Sequence, residues 1–195
     1  MVAVCVLAVT WQLLDWRPKR FAEVAPGELY RSGEVSPEQL AHLKESYGIS
    51  RVICLLNPDA PETQEERAAA EKLGVEWVNV PLPGDGASTP ADRARLIELL
   101  GMEDAGPTLV HCAAGTNRTG LAVGLYRLHY QGWSLEAVMR EMRAFDFEDL
   151  PKHENLRAAL RAEAESQRHS AHSQVETLPH IGMPRPPEPS TQPAP

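Results

Sequence analysis

Cysteine is sparse in this sequence. Cys5, Cys54 and Cys112 stand isolated among 195 residues with no Cys-x-x-Cys pair, which excludes the usual zinc patterns and a secreted disulfide framework and fits a reducing, cytoplasmic compartment. An excess of basic charge is also missing. The formal net charge is -8, so a general nucleic-acid binder is excluded as well. There is no internal repeat, and no apolar run reaches the roughly 20 residues that span a bilayer.

The nearest approach to such a run is Met1 to Trp16, which Gln12 and Asp15 interrupt and which Arg17, Lys19 and Arg20 follow. It lacks a basic leader and a small-residue cleavage site, which weighs against a secretory signal. Residues 1–20 are expected to form an apolar N-terminal segment. As a membrane anchor through residues 1–16, its flanking cations would hold the rest of the chain on the cytoplasmic side. A packed N-terminal helix or strand and a misassigned start are the other readings.

Hydrophobic residues make up 43% of the chain, enough for one core, expected over residues 21–167. Phe21 to Gly33 reads as a turn followed by a short strand. Ser36, Pro37 and Gln39 form a capping box for a helix that Gly48 ends. Arg51 to Leu56 is a buried strand, Pro61 to Leu73 a helix and Val75 to Val80 an alternating strand. Thr89 caps a helix reaching Leu100. Beyond the strand Thr108 to Val110 come helices over Thr119 to Gly132, Ser134 to about Phe145, and Glu154 to about Gln167. Strands separated by helices predict an α/β fold with a central, mainly parallel sheet flanked by helices. From Arg168 the composition turns to His, Ser, Gln and Pro, so residues 168–195 are expected to be a disordered Pro-rich tail. His169, His172 and His180 in it lack a ligand spacing, and no metal site is expected.

The chemistry concentrates in His111-Cys112-Ala113-Ala114-Gly115-Thr116-Asn117-Arg118-Thr119-Gly120. Apolar runs on both sides make this a strand, a tight loop and a helix start. Amides at a helix N-terminus lack intrahelical partners and carry partial positive charge, so they favour an anion. A thiol there falls from about 8.5 to roughly 3.5–7.5, which makes Cys112 a candidate nucleophile. Arg118 offers a forked cation for two oxygens of a phosphoryl group. Ala113, Ala114, Gly115, Thr116 and Asn117 supply the phosphate-binding backbone, Thr119 a hydroxyl for the sulfur, and His111 structural support for the loop.

His-Cys-x-x-Gly-x-x-Arg-Thr-Gly resembles the signature of the cysteine-based protein tyrosine phosphatase superfamily, in its small dual-specificity branch. Leu29-Tyr30-Arg31-Ser32-Gly33 with the following Ser36-Pro37-Glu38-Gln39-Leu40 resembles the opening of small bacterial and atypical members. The resemblance implies a phosphatase-like fold, a cysteinyl-phosphate intermediate and no cofactor or metal. It also implies an aspartic acid on an upstream loop that protonates the leaving oxygen and then activates water. Asp85, in the turn-rich stretch Pro81 to Ser88, is the first candidate, and Asp92 the alternative, although its place in a first helical turn already explains it. Relatives acting on lipids imply a further role for Cys54, as a redox partner protecting Cys112 by a disulfide; a buried core residue is the simpler reading. Arg31 could meet a substrate anion at the cleft rim or form an internal ion pair. With no lysine between Cys112 and Arg118, phosphorylated proteins are the expected substrates. A phosphoinositide or inositol-phosphate phosphatase and a noncatalytic phospho-binding module are the alternatives.

Overall fold

The computed structural model of the chain describes residues 16–176. The apolar stretch 1–15 and the end of the tail lie outside the described residues. Among those described, no helix is long and apolar enough to cross a membrane.

Local chemistry starts the helices. Ser36 accepts from the Gln39 amide at 3.2 Å, and the Gln39 side chain accepts from the Ser36 amide at 3.0 Å. This reciprocal cap opens α1 (Pro37–Tyr47), which ends at a left-handed Gly48. Pro61 opens α2 (Pro61–Leu73), Thr89 caps α3 (Pro90–Leu100), and Ser134 caps α5 (Leu135–Ala144). Between them, α4 (Asn117–Tyr130) leaves the central strand, and α6 (Glu154–Glu176) closes the fold. Short 3-10 turns at Glu103–Ala105 and Pro151–His153 complete the described elements.

The strands β1 (Ala22–Ala25), β2 (Leu29–Ser32), β3 (Arg51–Cys54), β4 (Glu76–Asn79) and β5 (Thr108–His111) form one sheet in the order β1-β2-β5-β3-β4. Only the β1–β2 pair is antiparallel, so the mainly parallel sheet expected from the sequence is present. Sheet pairing sets Arg31, Val110 and Ile53 in one row, and Ser32, His111 and Cys54 in the next. Alternation sends these two rows to opposite faces. Helix α4 packs on β5 and β2 with α3, α5 and α6 around it, whereas α1 and α2 pair with each other and α2 meets β4.

Two boundaries differ from the sequence expectation. The hairpin strand β1 was read only as a turn, because Ala22-Glu23-Val24-Ala25 has no strong strand pattern and gains its order from pairing with β2. Helix α6 runs to Glu176, nine residues beyond Gln167. Its added residues include Ala171, Gln174 and Glu176, good helix formers without Gly or Pro, so a polar composition did not mean loss of helix.

One buried ion pair fastens α2 to β5. Glu66 is 1% exposed and His111 fully buried. The Glu66 carboxylate lies 3.0 Å from His111 Nε2 and accepts from Trp77 Nε1 at 2.7 Å. Burial pulls the imidazole pKa down, but hydrogen bonds to Cys54 and Glu66 and the Glu66 charge outweigh it and push it up to about 10. Removing the carboxylate leaves a buried cation unpaired, so Glu66→Ala is expected to lower unfolding free energy by about 3 kcal/mol at neutral pH. A raised folded pKa gives stability that is complete below the ordinary histidine value of about 6.5 and is lost as pH rises towards about 10. Urea unfolding across that window should therefore show the difference between wild type and variant shrinking; a constant difference would contradict the ion pair.

Candidate active site

The loop between β5 and α4 is shaped from outside. Three consecutive carbonyls accept hydrogen bonds from the N-terminal part of the fold: Ala113 from the Glu34 amide at 3.2 Å, Ala114 from Arg20 Nη1 at 2.7 Å, and Gly115 from Arg31 Nη2 at 2.8 Å. A trans peptide directs its amide opposite to its carbonyl. The amides of Ala114, Gly115 and Thr116 therefore face away from these donors, towards the inside of the loop. Gly115 has φ of +74°, and a Cβ there would stand 2.7 Å from the Gly33 nitrogen, so no other residue fits the turn.

The start of α4 adds further donors. Thr116 makes no side-chain cap and the first turn holds no acid, in contrast to the side-chain caps of α1, α3 and α5. Its amides and dipole are free to act on an anion.

Cys112 sits at the base of this cup, 2% exposed. Burial pushes its thiol up, but hydrogen bonds from the Thr119 hydroxyl and amide, the Arg118 charge and the Gly115 amide outweigh that and hold it below its ordinary value. The Thr119 hydroxyl also reaches the Ser32 carbonyl at 3.3 Å. It has one proton to give, and a thiolate is the stronger acceptor. Arg118 rests only on the carbonyls of Leu55 and Leu82, at 3.4 and 3.3 Å. Among the described residues it has no carboxylate partner, so its fork is available to a phosphoryl group.

The cup opens into a cleft of about 280 Å³ with Gly84 on one side and Asp146, Glu148, Lys152 and His153 on the other. His153 lies 3.2 Å from Asn117 through Nε2 and 2.7 Å from the Glu148 carbonyl through Nδ1. The carbonyl requires a proton on Nδ1, which leaves Nε2 to accept from the Asn117 amide in the neutral ring. A larger cavity of about 640 Å³ lies between Gly27 and Tyr130 at the other end of the parallel strands. It holds neither Cys112 nor Arg118.

The two candidate acids are in different situations. Asp92 is part of a helix cap: it accepts from the Thr89 amide and hydroxyl, each at 2.8 Å. Asp85 is exposed on the loop beside Gly84, accepts from the Ala87 amide at 3.0 Å and from Asn155 Nδ2 at 3.0 Å, and is held below the usual carboxylate range chiefly by the Ala87 bond. Helix α6 carries this loop. A Cβ on Gly86, at φ of +78°, would lie 2.9 Å from Leu156.

Arg31 departs from the cleft-rim reading, whereas Cys54 matches the simpler one, a buried core residue. Arg31 is 1% exposed and lies beneath the loop rather than at the cleft rim, because β2 is buried on both faces; among the described residues it forms no ion pair within 4 Å. Cys54 is beside His111 in register, and its sulfur groups with Glu66 and His111 within 4.8 Å. Both described cysteines are free. Cys112 follows His111, the last residue of β5, at the start of the loop.

Sequence reading gave no site role to Glu66, Asp146, Glu148, Lys152 or His153. The dense charge of Asp146 to His153 between two helical patterns was the available signal. Arg20, read as the flank of an anchor, binds Ala114 and also Asp146, at 2.8 Å.

Known proteins are similar to this chain in sequence and in fold. The chain is 31% identical over 121 residues to the dual specificity protein phosphatase TpbA of Pseudomonas aeruginosa, covering 62% of the chain and 52% of that protein. It is 28% identical over 134 residues to the inositol diphosphatase SIW14 of Saccharomyces cerevisiae, covering 67% and 46%. The chain thus spans about half the length of these curated relatives. Among solved structures, TpbA of P. aeruginosa superposes with a TM-score of 0.63 at 27% identity, over 78% of this chain and 90% of the other. The SIW14 catalytic domain of S. cerevisiae superposes at 0.67 and 24% identity, over 84% and 96%, a likeness of fold. A family profile matches residues 16–177, which include the loop, its outside supports and the cleft wall together, and the chain belongs to the tyrosine phosphatase family.

Proposed function

We propose that this chain hydrolyses phosphotyrosine and phosphoserine or phosphothreonine in proteins through a Cys112-phosphate intermediate. The observation that carries the reading is a depressed thiol and an unpaired guanidinium at the base of a cleft whose mouth is of mixed charge. Glu148 offsets Lys152 there, and Asp146 is paired with Arg20. A single phosphoryl group is well matched by the cup, whereas a ring bearing several phosphates would meet no surplus of positive charge at the mouth.

The Cys112 thiolate attacks phosphorus as the bond to the leaving oxygen breaks, while Arg118 and the inward amides hold the equatorial oxygens. Asp85 donates the proton to the leaving oxygen and then takes one from the water that hydrolyses the cysteinyl phosphate. Its carboxylate is ionised on its own at neutral pH, but an approaching phosphate dianion favours the protonated form. Names among the relatives support both a protein and an inositol-phosphate substrate; the charge of the mouth favours the first.

Hydrolysis of a small aryl phosphate, in chelator and reductant, should be abolished by Cys112→Ser, and retained turnover in that variant would sink the covalent mechanism. Asp85→Asn is expected to lower kcat by about 10²–10⁴-fold with little change in KM; near-normal kcat would remove Asp85 from this role. Rates on a phosphotyrosine peptide should exceed those on a soluble inositol polyphosphate, and the reverse order would transfer the assignment to the inositol phosphates.

A further inference from the structure

Arg31 is a cation almost without contact with water, placed under the loop that holds the candidate nucleophile. Its Nη2 donates to Gly115 at 2.8 Å, and its guanidinium carbon lies 3.7 Å from the centroid of the Phe145 ring. Among the described residues Nε and Nη1 have no hydrogen-bond partner. A buried charge left this way is costly unless an anion acts on it.

The surroundings identify the anion. Arg31 pairs with Val110, so it faces the same side of the sheet as Cys112, two residues further on. Burial lowers its pKa to about 10, and Glu141 and Cys112 oppose that, while Arg127 and Arg20 add to it. Glu141 is already engaged by Arg127 Nε at 3.1 Å. The thiolate is therefore the negative group in this set that carries no cation of its own apart from Arg118. The Gly115 residue links the two ends: its amide bonds the sulfur, and its carbonyl accepts from Arg31.

We propose that Arg31 is a positioning residue that turns the Gly115–Thr116 peptide so that the Thr116 amide enters the phosphate cup, and that supplies a fixed positive charge beneath the Cys112 thiolate. Phe145 holds the guanidinium flat for this task, and Arg20 and Glu34 perform the corresponding orientation at the two preceding carbonyls without burying a charge. The inference rests on Cys112 as the nucleophile, but it concerns the ionisation of the sulfur, which is readable without turnover.

The test is the pH dependence of Cys112 alkylation by iodoacetamide, with Cys112→Ser as the blank. The groups facing Cys112 and the cleft are Thr119, Arg118, Asp146, Glu148, Lys152 and His153; all are unchanged in the variants. Arg31→Met and Arg31→Gln are expected to raise the alkylation midpoint by about one pH unit, and Arg31→Lys to restore most of it. Inhibition of the wild type by inorganic phosphate should weaken about tenfold in Arg31→Met, with kcat falling more than KM rises. A folded neutral variant with the wild-type midpoint and phosphate affinity overturns the proposal. Wild-type protein supplies a check that needs no Arg31 variant: the Arg31 guanidinium NMR signals should move as Cys112 ionises and as phosphate binds, and signals that stay fixed in both titrations overturn it as well. An inactive wild type that still shows these shifts would count against the phosphatase reading alone.

Discussion

A trans peptide cannot aim its carbonyl and its amide the same way, and the active loop depends on that restriction. Ala113, Ala114 and Gly115 have their carbonyls tied outward by Glu34, Arg20 and Arg31, so the following amides have nowhere to point but inward. Residues 20–34 thus shape a loop far later in the chain, with separations of 94 for Arg20 and 84 for Arg31. The fold makes this practicable by inserting β5 between β2 and β3, so the beginning of the described chain lies beside the loop that leaves β5.

The sheet also keeps two charged systems apart. On one face His111 and Glu66 form a closed, buried ion pair supported by Trp77. One residue along the chain, Cys112 is acted on by Arg118 and Arg31, which among the described residues have no carboxylate partner within 4 Å. Merging the two would neutralise the site: a glutamate near Arg118 would compete with a phosphoryl group for the same donors. Alternation along β5 places the compensated pair and the uncompensated charges back to back, and the strand serves both as their insulation and as the anchor of the loop.

What was legible in the sequence was what acts over short distances along it. The Ser36 and Gln39 cap, the Thr89 cap, the stop at Gly48 and the passage from strand through loop to helix around Cys112 and Arg118 all arise within a few residues, and the structure contains each of them. What was not legible acts across the fold. Arg31 reads as a cation at the cleft rim or in an internal ion pair, yet β2 is covered on both faces and the side chain lies beneath the loop. Glu66 sits in a helix rich in glutamate and reads as solvent-facing, and only the position of Trp77 and His111 makes it a core residue. The length of α6 and the pairing of β1 likewise come from packing that no local pattern specifies.

The setting of the two described cysteines bears on how such a site survives oxidants. A low-pKa thiolate is oxidised readily to the sulfenic acid, and a nearby thiol can trap that state before irreversible steps follow. Among the described residues the other cysteine, Cys54, is buried and bonded to His111. A small diffusible thiol admitted through the cleft would also rescue an oxidised Cys112, as would ring closure with the adjacent backbone nitrogen, which the outward-tied carbonyls would have to release. The same restraints that make the sulfur reactive therefore govern how easily it can be repaired.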